Sequence, residues 1–199
     1  MRQIIIQHTD TLMIGVLKSA SETGIYHVVS QIAMLVAFML TAINMVIAPH
    51  IARFYESGEF IKLQELVSGG ARVAILGAIP FMLVFIFFGY GILAIVFGNE
   101  FTTGYTALWI LCLGQFFNVA MGSVGLILNM TGHAWYSSAG VAIAALANIV
   151  LNALLIPPFG MIGAAVATAI SLLIWNILLC WWVYRLTGLV SLAYLRGRK

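Results

Sequence analysis

A single carboxylate, Asp10, interrupts the otherwise apolar stretch RQIIIQHTDTLMIGVL (2–17), with His8 two residues ahead of it. In an apolar setting such a group has three uses. It can hold or pass a proton, bind a cation, or sit solvated at a helix end. His8 is too close in sequence to share the helical face of Asp10, although both can approach one aqueous site. The other candidate residues are neutral: Ser30, Thr41 and Asn44, then Gln115, Asn118 and Asn129, then Asn148 and Asn152. Carboxamides and hydroxyls bind by hydrogen bonding and transfer no protons at neutral pH. Between Arg72 and Arg185 the only formal charge is Glu100. A GxSxG or HExxH motif, a P-loop and a paired-Cys ligand set are all missing from the sequence, so no enzyme, metal site or cofactor is expected. Cys112 and Cys180 lie inside apolar segments and read as helix-packing residues. The chemistry on offer is neutral hydrogen bonding with one carboxylate inside an apolar segment.

The elements that position these residues follow from composition. Of the 199 residues 63% are hydrophobic and 8% charged, with mean hydropathy +1.08. Ordinary soluble domains carry about 25% charged residues, so this chain has too little polar surface for water. It reads as an all-α integral membrane protein. The net charge of +3 is spread around apolar segments and forms no patch suited to nucleic acid, which is not expected as a partner. The N-terminus lacks the small-residue cleavage site of a signal peptide.

About 20 apolar residues are needed to cross a hydrocarbon core of roughly 30 Å. Five segments meet that length, at 25–49, 73–97, 105–130, 135–156 and 161–184, linked by GNEFTTG (98–104), TGHA (131–134) and PPFG (157–160). Residues 3–17 make a sixth, which would rise only about 22 Å as a helix. It reads as a span whose first turns are missing, and the chain as a fragment. The expected fold is therefore a bundle of six transmembrane helices, the first N-terminally truncated, forming one membrane domain over 1–199. Pro80 should kink the third span.

Arg2, Arg53, Lys62, Arg72, Arg185, Arg196, Arg198 and Lys199 fall on one side of such a bundle, and Lys18 alone on the other. The positive-inside rule then puts both termini in the cytoplasm, together with an amphipathic interfacial segment at 53–72 and a basic tail at 186–199. Tyr26, Tyr55, Trp109, Trp135, Tyr136, Trp181, Trp182 and Tyr184 mark span ends, and His50, after Pro49, sits at one.

Within the spans, helical spacing collects polar and small residues on faces. The second span presents Ser30, Ala33, Ala37, Thr41, Asn44 and Ala48; the fourth Gln115, Asn118, Gly122, Gly125 and Asn129. These two faces admit a water-filled cavity or helix packing. The fifth presents Gly140, Ala144, Asn148 and Asn152, and the sixth Gly160, Ala164, Ala167 and Ser171, with Gly163 beside them. Here packing is the expectation, since small residues allow close approach and Asn or Ser bonds across the contact contribute roughly 0.6–2 kcal/mol. The third span has no strongly polar side chain between Arg72 and Gly98 and should face lipid.

The order of these features resembles the C-terminal half of polysaccharide flippases of the O-antigen type, in the multidrug/oligosaccharidyl-lipid/polysaccharide exporter superfamily. TDTLMIG followed by TGIYHVVSQI, then APHIARFYESGE, FGNEFTTGYTALWILCLGQ, LNMTGH and NIVLNALLIPPFGMIGAAVATAIS carry the resemblance across nearly the whole chain. It implies one lobe of a two-lobed transporter with a central cavity opening alternately to each side of the cytoplasmic membrane. The substrate would be a lipid-linked oligosaccharide. The partners would be membrane lipid and an N-terminal lobe missing from this chain. The cavity helices of the family correspond to those bearing Asp10 and His8, Ser30 to Asn44, and Gln115 to Asn129. Cavity arginines that serve anionic substrates in the family have no counterpart within these spans. The alternatives are a multidrug extruder of the same superfamily coupled to Na+ or H+, a membrane transferase acting on lipid-linked sugars, and a truncated nonfunctional product.

Overall fold

The computed structural model describes the backbone of residues 2–191 and the side chains from residue 9 onward. Seven α-helices follow in order: α1 Arg2–Leu17, α2 Ala20–Met34, α3 Phe38–Glu56, α4 Phe60–Ile92, α5 Tyr105–Ala120, α6 Val124–Met130 and α7 Ala134–Thr187. No strand occurs among the described residues.

These helices make six rods. A single 3-10 turn, Leu35–Ala37, joins α2 to α3, so Ala20–Glu56 is one long apolar rod. Phe60–Phe97 is another, and α5 with α6 forms a third, bent by 42°. The 54 residues of α7 are folded sharply at Gly160, whose φ of 57° and ψ of −136° are not helical. Positive φ costs an ordinary residue about 1–2 kcal/mol, which glycine avoids. Contacts fix the result as a hairpin. A Cβ at Gly163 would lie 2.2 Å from the Leu155 carbonyl oxygen, and one at Gly140 would lie 2.2 Å from Leu179. Small residues thus set the spacing of the two arms, 134–159 and 161–187.

Local signals account for the joints. Ser19 caps α2, its Oγ accepting from the Glu22 amide at 3.2 Å. Lys18 Nζ donates to the Pro157 carbonyl at 2.9 Å, tying the α1–α2 turn to the α7 bend. After α4, a π-helical turn (Leu93–Phe97), Gly98 at φ 106° and a 3-10 turn (Asn99–Gly104) reverse the chain.

Several boundaries differ from those read in the sequence. Pro49 does not end the second span; it lies inside α3, which continues to Glu56. Residues 53–72 form no separate interfacial helix. They are the last turn of α3, a tight turn, and the first turns of α4, with Leu63 and Val67 buried. Pro157 and Pro158 stay helical, and the reversal is concentrated at Gly160. The fourth span is broken at 121–123, where Gly122 has φ 74°.

Large apolar side chains point outward around the bundle, among them Leu76, Phe87, Phe88, Ile95, Leu146, Leu154 and Ile177. In water such a surface would aggregate; in a bilayer it is solvated. Trp135, Trp181 and Tyr184 are also exposed, whereas Tyr26 is 1% exposed and belongs to the interior.

Two apolar clusters form that interior. One gathers Val29, Leu40, Leu111, Cys112, Val119 and Ala165; the other Ile47, Ile51, Leu63, Val124, Leu179 and Val183. Along α3, along α5–α6 and along the second arm of α7, the chain passes from the first cluster to the second. The neutral polar residues lie in the seam between them.

Candidate functional site

Two polar assemblies occupy the bundle. The first surrounds Asp10, which is 1% exposed. Tyr26 Oη donates to Asp10 Oδ2 at 3.2 Å, and Thr168 Oγ1 donates to the same oxygen. Asn152 Nδ2 donates to Asp10 Oδ1 at 2.5 Å and to Asn148 Oδ1 at 3.0 Å. Asn152 Oδ1 and Asn148 Nδ2 have no hydrogen-bond partner although buried. The Gly160 hairpin is what makes this assembly. It folds Asn152 on one arm of α7 over Thr168 on the other, and both face α1. A carboxylate at membrane depth costs at least about 2.5–3.5 kcal/mol on the insertion scale, and three donors from three different rods offset that cost.

The second assembly lines a cavity of about 260 Å³ in the seam. Thr41 and Asn44 reach it from α3, Gln115 and Asn118 from α5, Gly122 and Ser123 from the helix break, and Trp175 from α7. Ser123 Oγ donates to Asn44 Oδ1 at 2.5 Å. Asn176 Nδ2 donates to Asn118 Oδ1 at 3.1 Å, and Asn118 Nδ2 to Gln115 Oε1 at 3.4 Å. The break of α5–α6 lies against this cavity, the setting in which interrupted backbone is tolerated at membrane depth. The lining contains no Lys, Arg, His, Asp or Glu.

The residues singled out in the sequence are therefore distributed unequally. Thr41, Asn44, Gln115 and Asn118 share the cavity. Asp10 does not line it, and forms a separate buried cluster with Asn148 and Asn152. Ser30 returns its hydroxyl to the His27 carbonyl at 2.8 Å, and Asn129 is exposed near the end of α6. His8 lies in α1, with its side chain outside the described residues. Gly160, Gly163, Ala164 and Ser171 are buried in the hairpin. Among the described residues no group of three or more His, Cys, Asp or Glu could hold a metal.

Tyr26, Thr168, Ser123, Trp175 and Asn176 join these assemblies without having been singled out for them. Tyr26, which its residue type places at a span end, lies instead in the interior. A signal existed for Trp175: unlike the other tryptophans, it sits in mid-span, directly before an asparagine.

Residues 1–105 match the family described as polysaccharide biosynthesis protein. The chain is 27% identical over 162 residues to the "Probable low-salt glycan biosynthesis flippase Agl15" of Haloferax volcanii, covering 81% of this chain and 34% of that protein. It is 30% identical over 174 residues to the "Probable flippase AglR" of the same organism, covering 85% and 36%. An "Uncharacterized membrane protein MJ1068" of Methanocaldococcus jannaschii is 28% identical over 153 residues, covering 76% and 30%. The chain thus spans about a third of the length of the curated relatives it matches. No solved structure matches it significantly.

Proposed function

Because this chain belongs to the polysaccharide biosynthesis protein family, we propose that it forms one lobe of a transporter that flips lipid-linked glycan precursors across the cytoplasmic membrane. The observation that carries this reading is the uncharged polar cavity built on the broken α5–α6 rod and bordered by lipid-facing helices. A glycan on a lipid carrier has two solvents to satisfy. Its tail stays in the bilayer, while its hydroxyls need hydrogen-bond partners during the crossing, because each unsatisfied polar group in hydrocarbon costs several kcal/mol. Asn44, Gln115, Asn118 and Thr41 supply such partners without a fixed charge that would hold the sugar too tightly.

A second lobe completes the path, and the two rock against each other so that the cavity opens to one side at a time. Gly122 and the 3-10 turn at Leu35–Ala37 interrupt the helices of the cavity wall. The basic side of the bundle, with both termini, faces the cytoplasm. A cationic-drug extruder fits less well, since the cavity lining has no carboxylate to meet the drug.

Asp10 has the energy-coupling role in this reading. Its cluster sits against the α7 hairpin, away from the cavity, and a proton or monovalent cation would neutralise its carboxylate in one state of the cycle. Two buried amide atoms, Asn152 Oδ1 and Asn148 Nδ2, remain free to re-pair when it does.

The test is translocation by the intact protein in vesicles, using a lipid-linked oligosaccharide with a fluorescent sugar and a quencher outside. Movement across the bilayer that Asn118→Leu abolishes, and that Asp10→Asn uncouples from an imposed ion gradient, is expected. Absence of movement by a well-folded protein would overturn the proposal.

A further inference from the structure

The chain does not leave the bundle where α7 ends. Gly188, at φ 69°, turns it back, and Leu189 and Ser191 are buried. Irregular segments ordinarily run over the surface, because buried backbone needs hydrogen-bond partners. Here Gln64 on α4 is the partner. Its Oε1 accepts from the Val190 amide at 2.9 Å and its Nε2 donates to the Val190 carbonyl at 2.7 Å. A backbone N–H only donates and a carbonyl only accepts, so the Gln64 amide has one orientation. Ser68, one turn along α4 and buried, accepts from the same Nε2 at 2.8 Å. The far side of the segment rests on the cavity wall. A Cβ on Gly122 would lie 2.4 Å from the Ser191 carbonyl oxygen, and Ser191 Oγ lies 3.7 Å from Cys180 Sγ. On three rods the cavity residues are followed by members of the second apolar cluster. Asn44 precedes Ile47 and Ile51, Ser123 precedes Ile127 and Leu128, and Trp175 precedes Leu179 and Val183. That cluster closes the cavity toward the ends of α3 and α7, and Leu189 is part of it.

We propose that residues 188–191 are a latch on this end of the cavity. Docked, they tie α4, the α5–α6 break and the second arm of α7 together and keep the end shut. Withdrawn from Gln64 and Gly122, they free the break, and the cluster can part. The inference rests on the transport reading above and adds the element that gates one side of the path. Two features suit a latch better than a permanent brace. The helix is complete without the segment: the Gly188 amide caps it on the Tyr184 carbonyl at 3.0 Å, and Thr187 Oγ1 donates to the Val183 carbonyl at 2.7 Å. The grip on the segment comes mainly from one amide pair and one apolar side chain, Leu189, so it leaves in a single step without unwinding a helix.

The contact with Cys180 supplies the test. In the intact protein with Cys112 replaced by alanine, Ser191→Cys sets a second thiol beside Cys180, and copper phenanthroline joins the two. The disulfide should slow movement of the fluorescent lipid-linked oligosaccharide about tenfold or more, and dithiothreitol should restore it. Amide exchange across 119–125 should slow with the disulfide closed. Gln64→Leu, which frees the segment, should speed that exchange about tenfold. A brace that never leaves gives the same rates with the disulfide open or closed, and that result would overturn the latch. So would a disulfide that does not form, since Ser191 would then lie elsewhere. If the cysteine variant fails to fold, Gln64→Leu carries the test, and exchange that quickens at Val190 but not across 119–125 overturns the proposal. Movement that the closed disulfide leaves unaltered keeps the transport reading and removes the latch. Exchange that answers to the disulfide in a protein that moves no glycan does the reverse.

Discussion

Asn152 Nδ2 donates a 2.5 Å hydrogen bond to Asp10 Oδ1 across 142 positions of sequence. That contact joins the first rod of the bundle to the far hairpin, and it explains why two asparagines four residues apart occur in an apolar span. Asn152 serves the carboxylate and Asn148 holds Asn152. Removing the donor leaves a buried acceptor with no water to turn to.

Asn152→Leu should therefore lower stability by about 1–3 kcal/mol, and Asp10→Asn in the same protein should recover part of the loss. A double-mutant cycle on thermal unfolding in detergent measures the coupling. Additive effects of the two changes would contradict the contact.

Gly122 and Gly132 both have positive φ, at 74° and 81°, but their surroundings differ. A Cβ at Gly122 would lie 2.4 Å from the Ser191 carbonyl oxygen, whereas one at Gly132 meets nothing within 4 Å. Gly132→Ala should cost only the backbone penalty of about 1–2 kcal/mol. Gly122→Ala should cost more, because the added carbon also collides with the Ser191 carbonyl. Thermal unfolding compared between the two variants reports the difference, and equal losses would refute it.

Gln64 holds the chain beyond α7 in place. Its Nε2 donates to the Val190 carbonyl at 2.7 Å and its Oε1 accepts from the Val190 amide at 2.9 Å. Gln64→Leu removes both bonds. Hydrogen exchange at the Val190 amide should accelerate by an order of magnitude or more, since the loss of about 1–3 kcal/mol per bond maps onto local opening. Exchange in the α7 hairpin should stay as it was. Unchanged exchange at Val190 would mean that Gln64 does not secure the segment.

How far the sequence reaches is clear from these residues. The grouping of Thr41, Asn44, Gln115 and Asn118 was legible, because helical periodicity sorts the faces of each rod and every one of these four residues faces the same seam. The partners of Asp10 were not. Thr168 and Asn152 come to it only through the fold at Gly160, and periodicity within one helix carries no information about its neighbour. The interior place of Tyr26 is hidden for a related reason. Tyrosine is common at span ends, and only its neighbours show that its hydroxyl is spent on a carboxylate. The break at Gly122 was hidden by the apolar residues on both sides, which keep the hydropathy of the span continuous.

Solvent access at single cysteines tests most directly the claim that the bundle turns polar faces to a wet interior and apolar faces to lipid. With Cys112 and Cys180 replaced by alanine, a cysteine at Asn44, Thr41 or Gln115 should react with a membrane-impermeant thiol reagent, and the lipid-linked glycan proposed as substrate should protect it. A cysteine at Leu76, Phe88 or Leu146 should stay unlabelled in the bilayer. Labelling of the second set with none of the first would contradict the account.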